Sequence, residues 1–185
     1  MTLISKQLDA SNLDAHEDHT DNNFSSTATV IRCDANTSAA SNRRYYGGLV
    51  FVLPGAIPSG ATIDDAKITV DVIATRDSPN LDIYAEDVAD ADNFTTDPDV
   101  FIRTSSLTSA GVTWVASSIG SGSKDSPDLA AVIQELVDTY SGLASGAGIC
   151  ILLLSRGDFN SNFRFTAYDG TAGLAAHLTT NYTAG

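Results

Sequence analysis

Lysine is scarce in this chain. Its 185 residues include only Lys6, Lys67 and Lys124, and 10 basic residues in all stand against 23 acidic ones, for a formal net charge of −13. A surface of that sign repels phosphate backbones and anionic lipid heads, so nucleic acid and membranes are excluded as expected partners. Cysteine is scarcer still, with only Cys33 and Cys150. Two cysteines in a chain this long do not make a disulfide framework. Each falls in an apolar or alternating run, where a small buried hydrophobe is the simpler reading. No apolar run approaches the roughly 20 residues of a membrane-spanning helix. The residues after Met1 reach the charged Asp9–Asp21 region without the hydrophobic stretch of an export signal. The expectation is a chain made in a cytoplasm and not exported by the usual route.

Catalytic signatures are missing too. There is no Gly-x-Ser-x-Gly elbow to present a nucleophile. His16-Glu17-Asp18-His19 places its histidines three apart, whereas the zincin pattern needs His-Glu-x-x-His on a helix. Gly120-Ser121-Gly122-Ser123-Lys124 lacks the Walker spacing and the preceding strand of a phosphate loop. No pair of carboxylates is singled out for glycoside cleavage. His177 reads as a sheet-face residue in the last strand. An enzyme is not expected.

What is present is a series of short strands. The stretch from Arg43 to Val72 organises them. Leu49 to Leu53 is apolar on both faces; Pro54, Gly55, Pro58 and Gly60 then form a link that cannot continue a sheet. Beyond it Ala66, Ile68, Val70 and Val72 alternate with Lys67, Thr69 and Asp71, the pattern of a strand with one packed and one wet face. Further strands are expected over Thr2–Asp9, Thr27–Cys33, Leu81–Ala85, Val112–Val115, Gly146–Leu154, Asn162–Tyr168 and Ala176–Tyr182. Polar loops are expected over Ser11–Ser26, Asp34–Asn42, Asp87–Asp99 and Ser117–Ser126. One helix is expected from about 127 to 140. Ser126 suits its cap, Pro127 its first position and Asp128 its positive end. Leu129, Val132, Ile133, Leu136, Val137 and Tyr140 form its apolar face, and Gly142 stops it. Gly47-Gly48 weakens a strand unless a bulge or a close approach requires it, and a bulge is the expectation.

Many short strands and a single helix indicate an all-β sandwich. Its core is expected to hold Val30, Leu49, Phe51, Ile68, Val70, Ile83, Trp114, Leu136, Ile149, Ile151, Leu153, Phe165 and Leu178. Two units are expected: residues 1–26 as an N-terminal arm, first strand and polar loop packed on the domain or on a neighbour, and residues 27–185 as the sandwich.

Three clusters bear on ligands. Asp87, Asp90, Asp92 and Asp97 crowd one acidic loop; calcium suits such oxygens, but the spacing lacks the central Gly and closing Glu of an EF-hand. A solvated loop without any cofactor is the simpler reading. His16 and His19 lie among Asp14, Asp18 and Asp21, a set that could bind a metal, though a solvated polar loop or an intersubunit contact is the simpler reading. Arg156-Gly157-Asp158 reads as turn chemistry, with Gly for backbone freedom and Asp for local hydrogen bonds.

The order of features resembles the DNRLRE-type jelly-roll modules, which are similar to alginate- and other carbohydrate-binding modules. The resemblance is carried by Asn22-Asn23-Phe24-Ser25-Ser26-Thr27, Arg44 through Phe51, Ile57-Pro58-Ser59-Gly60-Ala61-Thr62-Ile63 with Ala66, and Gly111-Val112-Thr113-Trp114. Asp128-Leu129, Gly148-Ile149 and Leu178 through Tyr182 complete it. The chain departs from that pattern where Leu107-Thr108-Ser109 replaces a Trp-x-Glu and where Leu136 replaces a helical Trp. The resemblance implies a jelly-roll β-sandwich of two antiparallel sheets with one α-helix.

A lone module of this kind, without an export signal, looks like a phage structural protein. The leading expectation is a capsid decoration or cement protein in the virion. It would bind across major capsid protein subunits and form a homo-oligomer around a symmetry axis, with Leu3, Ile4, His16, His19 and Phe94 at interfaces. The alternative is a carbohydrate-binding module of a tail or head fibre, using Tyr46 and Tyr168 as stacking platforms for host-surface polysaccharide.

Overall fold

The computed structural model describes residues 1–21, 23–38, 41–74, 77–95, 99–156 and 162–185, with the side chains of 36–38 and 41–42 excepted. In chain order they form β1 (Thr2–Gln7), β2 (Asp14–Asp18), β3 (Asn23–Ser25), β4 (Val30–Arg32), β5 (Ala35–Ser38), β6 (Ser41–Val52), β7 (Thr62–Val72) and β8 (Asn80–Ala85). Helix α1 (Val100–Arg103), β9 (Val112–Val115), β10 (Gly122–Asp125), helix α2 (Ala130–Thr139), β11 (Gly148–Ser155), β12 (Arg164–Thr166) and β13 (His177–Thr183) follow.

The strands make two antiparallel sheets packed as an all-β sandwich. Sheet A is six-stranded, in the order β1-β13-β7-β12-β4, with β10 also on β7. Sheet B is seven-stranded, in the order β3-β2-β6-β11-β8-β9, with β5 also on β6. The chain crosses between sheets repeatedly, as a jelly roll does, so strands distant in sequence become neighbours.

The core lies where alternation placed it. On β7 the residues Ala66, Ile68, Val70 and Val72 are buried, while Lys67, Thr69 and Asp71 are only half-buried on the outer face. Leu49 and Phe51 of β6 face the same interior as Ile149, Ile151 and Leu153 of β11, and all are buried. Trp114 packs edge-on against Phe163 at 5.0 Å, and Phe163 meets Phe165 at 5.7 Å. Both cysteines are buried and free.

The second edge of β7 is closed by side chains. β10 pairs with its end, from Thr69 to Val72. The Ser126 hydroxyl then accepts from the Ile68 N–H at 3.1 Å, the Asp128 carboxylate from the Ala66 N–H at 3.0 Å, and the Gln134 amide oxygen from the Ile63 N–H at 2.8 Å. Gln134 also donates to the Ala61 carbonyl at 3.0 Å. Helix α2 therefore lies along a strand edge and satisfies it as another strand would.

Several expectations are corrected. Ser126 serves β7, so it does not cap the helix; α2 starts at Ala130, where Asp128 accepts from the Ala130 N–H at 2.9 Å. A second, short helix, α1, follows the acidic loop. The stretch Ser11–Ser26 is not one polar loop, because β2 and β3 lie within it. The expected arm is therefore built into both sheets of the domain. Likewise β5 occupies part of Asp34–Asn42, and β10 part of Ser117–Ser126. On β4 it is Ile31 that is buried, while Val30 is half-buried, so the inward phase is shifted by one residue.

Gly47-Gly48 is not a bulge. Both ladders of β6 pass through it in constant register, and the irregularity falls instead at Asn181/Tyr182 of β13. The glycines permit close approach from both faces. A β-carbon on Gly47 would lie 2.5 Å from the Cys33 sulfur, and one on Gly48 would collide with the Phe94 ring.

Candidate functional site

The excursion between β8 and β9 lies over the outer face of sheet B. It is tied down one backbone group at a time. Ala91 N–H donates to the Gly148 carbonyl at 2.9 Å, and Gly148 N–H donates back to the Asp90 carboxylate at 2.7 Å. Phe94 N–H donates to the Asn12 carbonyl at 2.9 Å, and Phe101 N–H to Glu17 at 2.9 Å. Phe94 then plugs the sheet above Gly48.

Arg103, at 7% exposure, is the centre of this excursion. Its guanidinium pairs with Glu86 at 2.7 Å and Asp99 at 2.8 Å, donates to the Asn93 carbonyl at 3.3 Å, and lies 4.6 Å from the centre of the Phe94 ring. A buried cation of this kind is stable only because two carboxylates and a carbonyl replace its water. Asp99 also accepts from the Thr95 N–H at 2.7 Å.

Between this excursion and β6 and β11 opens a cleft of about 600 Å³. Its walls carry Asn12, Asp90, Asp92, Asn93, Thr95, Asp99 and Arg103, with Val52 and Ile102 as apolar patches. The lining offers hydrogen-bond acceptors and a few donors. Among the described residues no aromatic ring lines it.

Two of the four carboxylates expected to hold calcium, Asp87 and Asp90, are engaged elsewhere. Asp90 holds the Gly148 N–H. Asp87 accepts from the Tyr140 hydroxyl, at 2.8 Å through its carbonyl and 3.2 Å through its carboxylate. Asp92 is exposed, and Asp97 lies outside the described residues. Among the described residues no group of three His, Cys, Asp or Glu is arranged to hold a metal ion.

A second concentration of polar groups runs along β2. Asp14, Glu17 and Asp18 are buried, and His16 and His19 are half-buried. His19 lies in a stack of rings, 5.4 Å from Tyr46 and 4.5 Å from Phe101. His16 meets Tyr45 edge-on at 5.7 Å, and Arg32 covers the same Tyr45 ring at 4.0 Å. Asp14 accepts from the Tyr168 N–H at 2.7 Å. Burial, reinforced by Asp169, pushes its carboxyl up to about 7 despite that hydrogen bond. Burial and the nearby Arg32 push the His16 imidazole down to about 4. Beside them Arg32 pairs with Asp34 at 3.1 Å, and Arg164 with Asp77 at 3.3 Å.

The expected interface residues divide. Leu3 is 60% exposed, but Ile4 and Phe94 are 5% and 1% exposed and belong to the chain's own core. Tyr46 and Tyr168 are both half-buried, and the Tyr46 ring is stacked on His19. The Arg156-Gly157-Asp158 turn lies outside the described residues beyond Arg156.

One pairing had no sequence signal at all. The Ser5 hydroxyl and His177 Nε2 are 2.7 Å apart on the outer face of sheet A, brought together by the β1–β13 register. That is nucleophile–base distance, but a hydrolytic triad also needs a carboxylate orienting the imidazole and a hole for the oxyanion. Among the described residues no carboxylate hydrogen-bonds His177, although its ring borders a pocket of about 190 Å³ that Gln7, Thr69 and Asp71 also line. Compared with known proteins, the chain matches no protein-family model and no curated protein.

Proposed function

We propose that the chain is a structural protein of a phage virion, a capsid decoration protein that stabilises the shell by binding across major capsid subunits. The observation that supports this reading is the outer face of sheet A. It is broad and polar, and its side chains are already cross-bonded: Ser5 with His177 at 2.7 Å, Asn181 with Asp65 at 3.0 Å, Lys67 with Asp125 at 2.5 Å, and Thr166 with Asp71 at 2.9 Å. A face ordered in this way loses little side-chain freedom on docking. Repeated over a symmetric shell, modest contacts of this sort add by multivalency. The net charge of −13 keeps coated particles apart.

Shells lacking the protein provide the test. Purified chain should co-sediment with them and raise the temperature at which they open. Thr179→Glu, in the middle of the face, should weaken both effects. Failure to bind any shell in saturating protein removes the proposal.

A second reading, a carbohydrate-binding module of a tail or head fibre, is favoured by the cleft rather than by the tyrosines. Asp90, Asp92, Asn93 and Asn12 supply the acceptors and amides that polyhydroxylated ligands need. Binding of host-surface polysaccharide that is lost on Asn93→Ala and kept on Tyr46→Ala would favour this reading over the shell.

A further inference from the structure

We infer that two copies of this chain pair edge to edge through β1, joining their A sheets across a two-fold axis. β1 is the outermost strand of sheet A and pairs only with β13 among the described residues. Leu8 N–H donates to the Ala176 carbonyl at 3.0 Å, and the β1–β13 register continues this alignment. In an antiparallel ladder the bonded residues alternate. Thr2, Ile4 and Lys6 therefore direct their backbone groups at β13, and Leu3, Ser5 and Gln7 direct theirs away from the sheet.

Natural sheets protect such an edge with proline, a bulge, charge or a covering helix. The side of β7 turned away from β13 is covered by Ser126, Asp128 and Gln134. Of these devices β1 carries only one, the charge of Lys6. It runs six residues in regular register, without proline, and its one charge, Lys6, is paired with Asp9. Leu3 is exposed to 60% beside it.

Charge selects a second copy as the occupant. Two chains of −13 repel over most of their surfaces. From Met1 to Leu8 there is no carboxylate, so two copies can meet along this seam without opposing acidic side chains. A two-fold axis perpendicular to the sheet keeps like faces together, so opposed residues must share a face. Centring the axis on Ser5 sets Leu3 against the second copy's Gln7 and uses all three outward residues. That pairing forms about six main-chain hydrogen bonds, two for each bonded pair. Ile4 then faces the second copy's Lys6 on the inner side, and no like charges are opposed.

The inference concerns the chain in solution and does not depend on the shell reading, which is decided on particles. Sedimentation equilibrium of the full chain should show a monomer–dimer equilibrium. Amide exchange at rising concentration should slow at Leu3, Ser5 and Gln7, while Ile4 and Lys6 are protected throughout. Leu3→Pro removes one outward N–H and no bond to β13, and should abolish the dimer. Leu3→Lys leaves the backbone unchanged and should raise the dimer dissociation constant by about tenfold or more. Three results would overturn the pairing: a monomer up to about 1 mM, in the weak range of association constants; a dimer in which exchange at the three outward amides is unchanged; or a folded Leu3→Pro or Leu3→Lys that dimerises like the unmodified chain.

Discussion

The ring of Phe94 fills the space that a β-carbon on Gly48 would occupy. This contact anchors the excursion between β8 and β9 to the middle of sheet B, and Phe94 is 1% exposed as a result. Gly48→Ala must push the ring out or bend β6, at a cost of about 1–3 kcal/mol for overpacking. Phe94→Ala leaves a cavity and costs about 3–5 kcal/mol. With the ring gone, the added methyl no longer collides, so the double variant should cost clearly less than the sum. Urea unfolding of the four proteins measures the coupling. Strict additivity would mean that the glycine is there for some other reason.

Arg103 should be as critical to the excursion as Phe94. Its side chain is 7% exposed and is held by Glu86 and Asp99, themselves 15% and 14% exposed. Arg103→Ala leaves two shielded carboxylates facing each other and should destabilise by about 3–5 kcal/mol. Arg103→Lys should recover only part of this, because an ammonium cannot reach both acids and the Asn93 carbonyl with the same fork. Limited proteolysis is the sharper readout: cleavage between Glu86 and Gly111 should precede global unfolding in both variants. Cleavage spread evenly over the chain would contradict this account.

The parts of the fold that were legible in the sequence are those governed by alternation. Ala66 to Val72, Leu49 and Phe51, and Phe163 to Ala167 all face where their pattern points, because an apolar side chain needs only an interior. The parts that were not legible depend on particular partners. Asp14-Ala15-His16-Glu17-Asp18 has the composition of a solvated loop, yet it is a strand with three buried acids. Asp14 is accommodated by the Tyr168 N–H and Glu17 by the Phe101 N–H, groups 154 and 84 residues away. No local pattern announces such distant donors. Gly47-Gly48 carried a real signal, but a bulge and a close approach require the same residue, and only the positions of Cys33 and Phe94 decide between them. The cleft was invisible for a similar reason: its walls come from Asn12, the excursion and the start of β11.

Gln134 replaces a strand for β7, and this too can be measured. Its amide accepts from Ile63 N–H and donates to Ala61 C=O at the same time. Gln134→Ala strands both groups and should cost about 1–3 kcal/mol, more than a half-exposed helical position otherwise would. Gln134→Glu keeps the acceptor for Ile63 but sets a carboxylate oxygen against the Ala61 carbonyl, so it should not restore stability. Thermal unfolding of the three proteins gives the order. Full recovery by Glu would show that only the Ile63 bond matters.

Asp14 and His16, two residues apart on β2, should drive stability in opposite directions with pH. Burial raises the Asp14 carboxyl from 3.8 to about 7. The folded state therefore holds this proton more tightly than the unfolded chain. That contribution is fully present below about pH 4 and is lost as pH rises through 7, by a few kcal/mol. Burial lowers the His16 imidazole from 6.5 to about 4. The unfolded chain binds that proton better, so the stability due to neutral His16 is present above about pH 6.5 and is lost as pH falls through 4. Between pH 4 and 6.5 the two slopes largely cancel in the unmodified chain. Asp14→Asn removes the falling component, so its stability should climb with pH across this window and exceed that of the unmodified chain at pH 7.5. His16→Asn removes the rising component, so its stability should decline from pH 4 towards 7. Urea unfolding at pH 4.5, 6 and 7.5 compares the slopes, and two variants shifted in the same direction would refute the opposition.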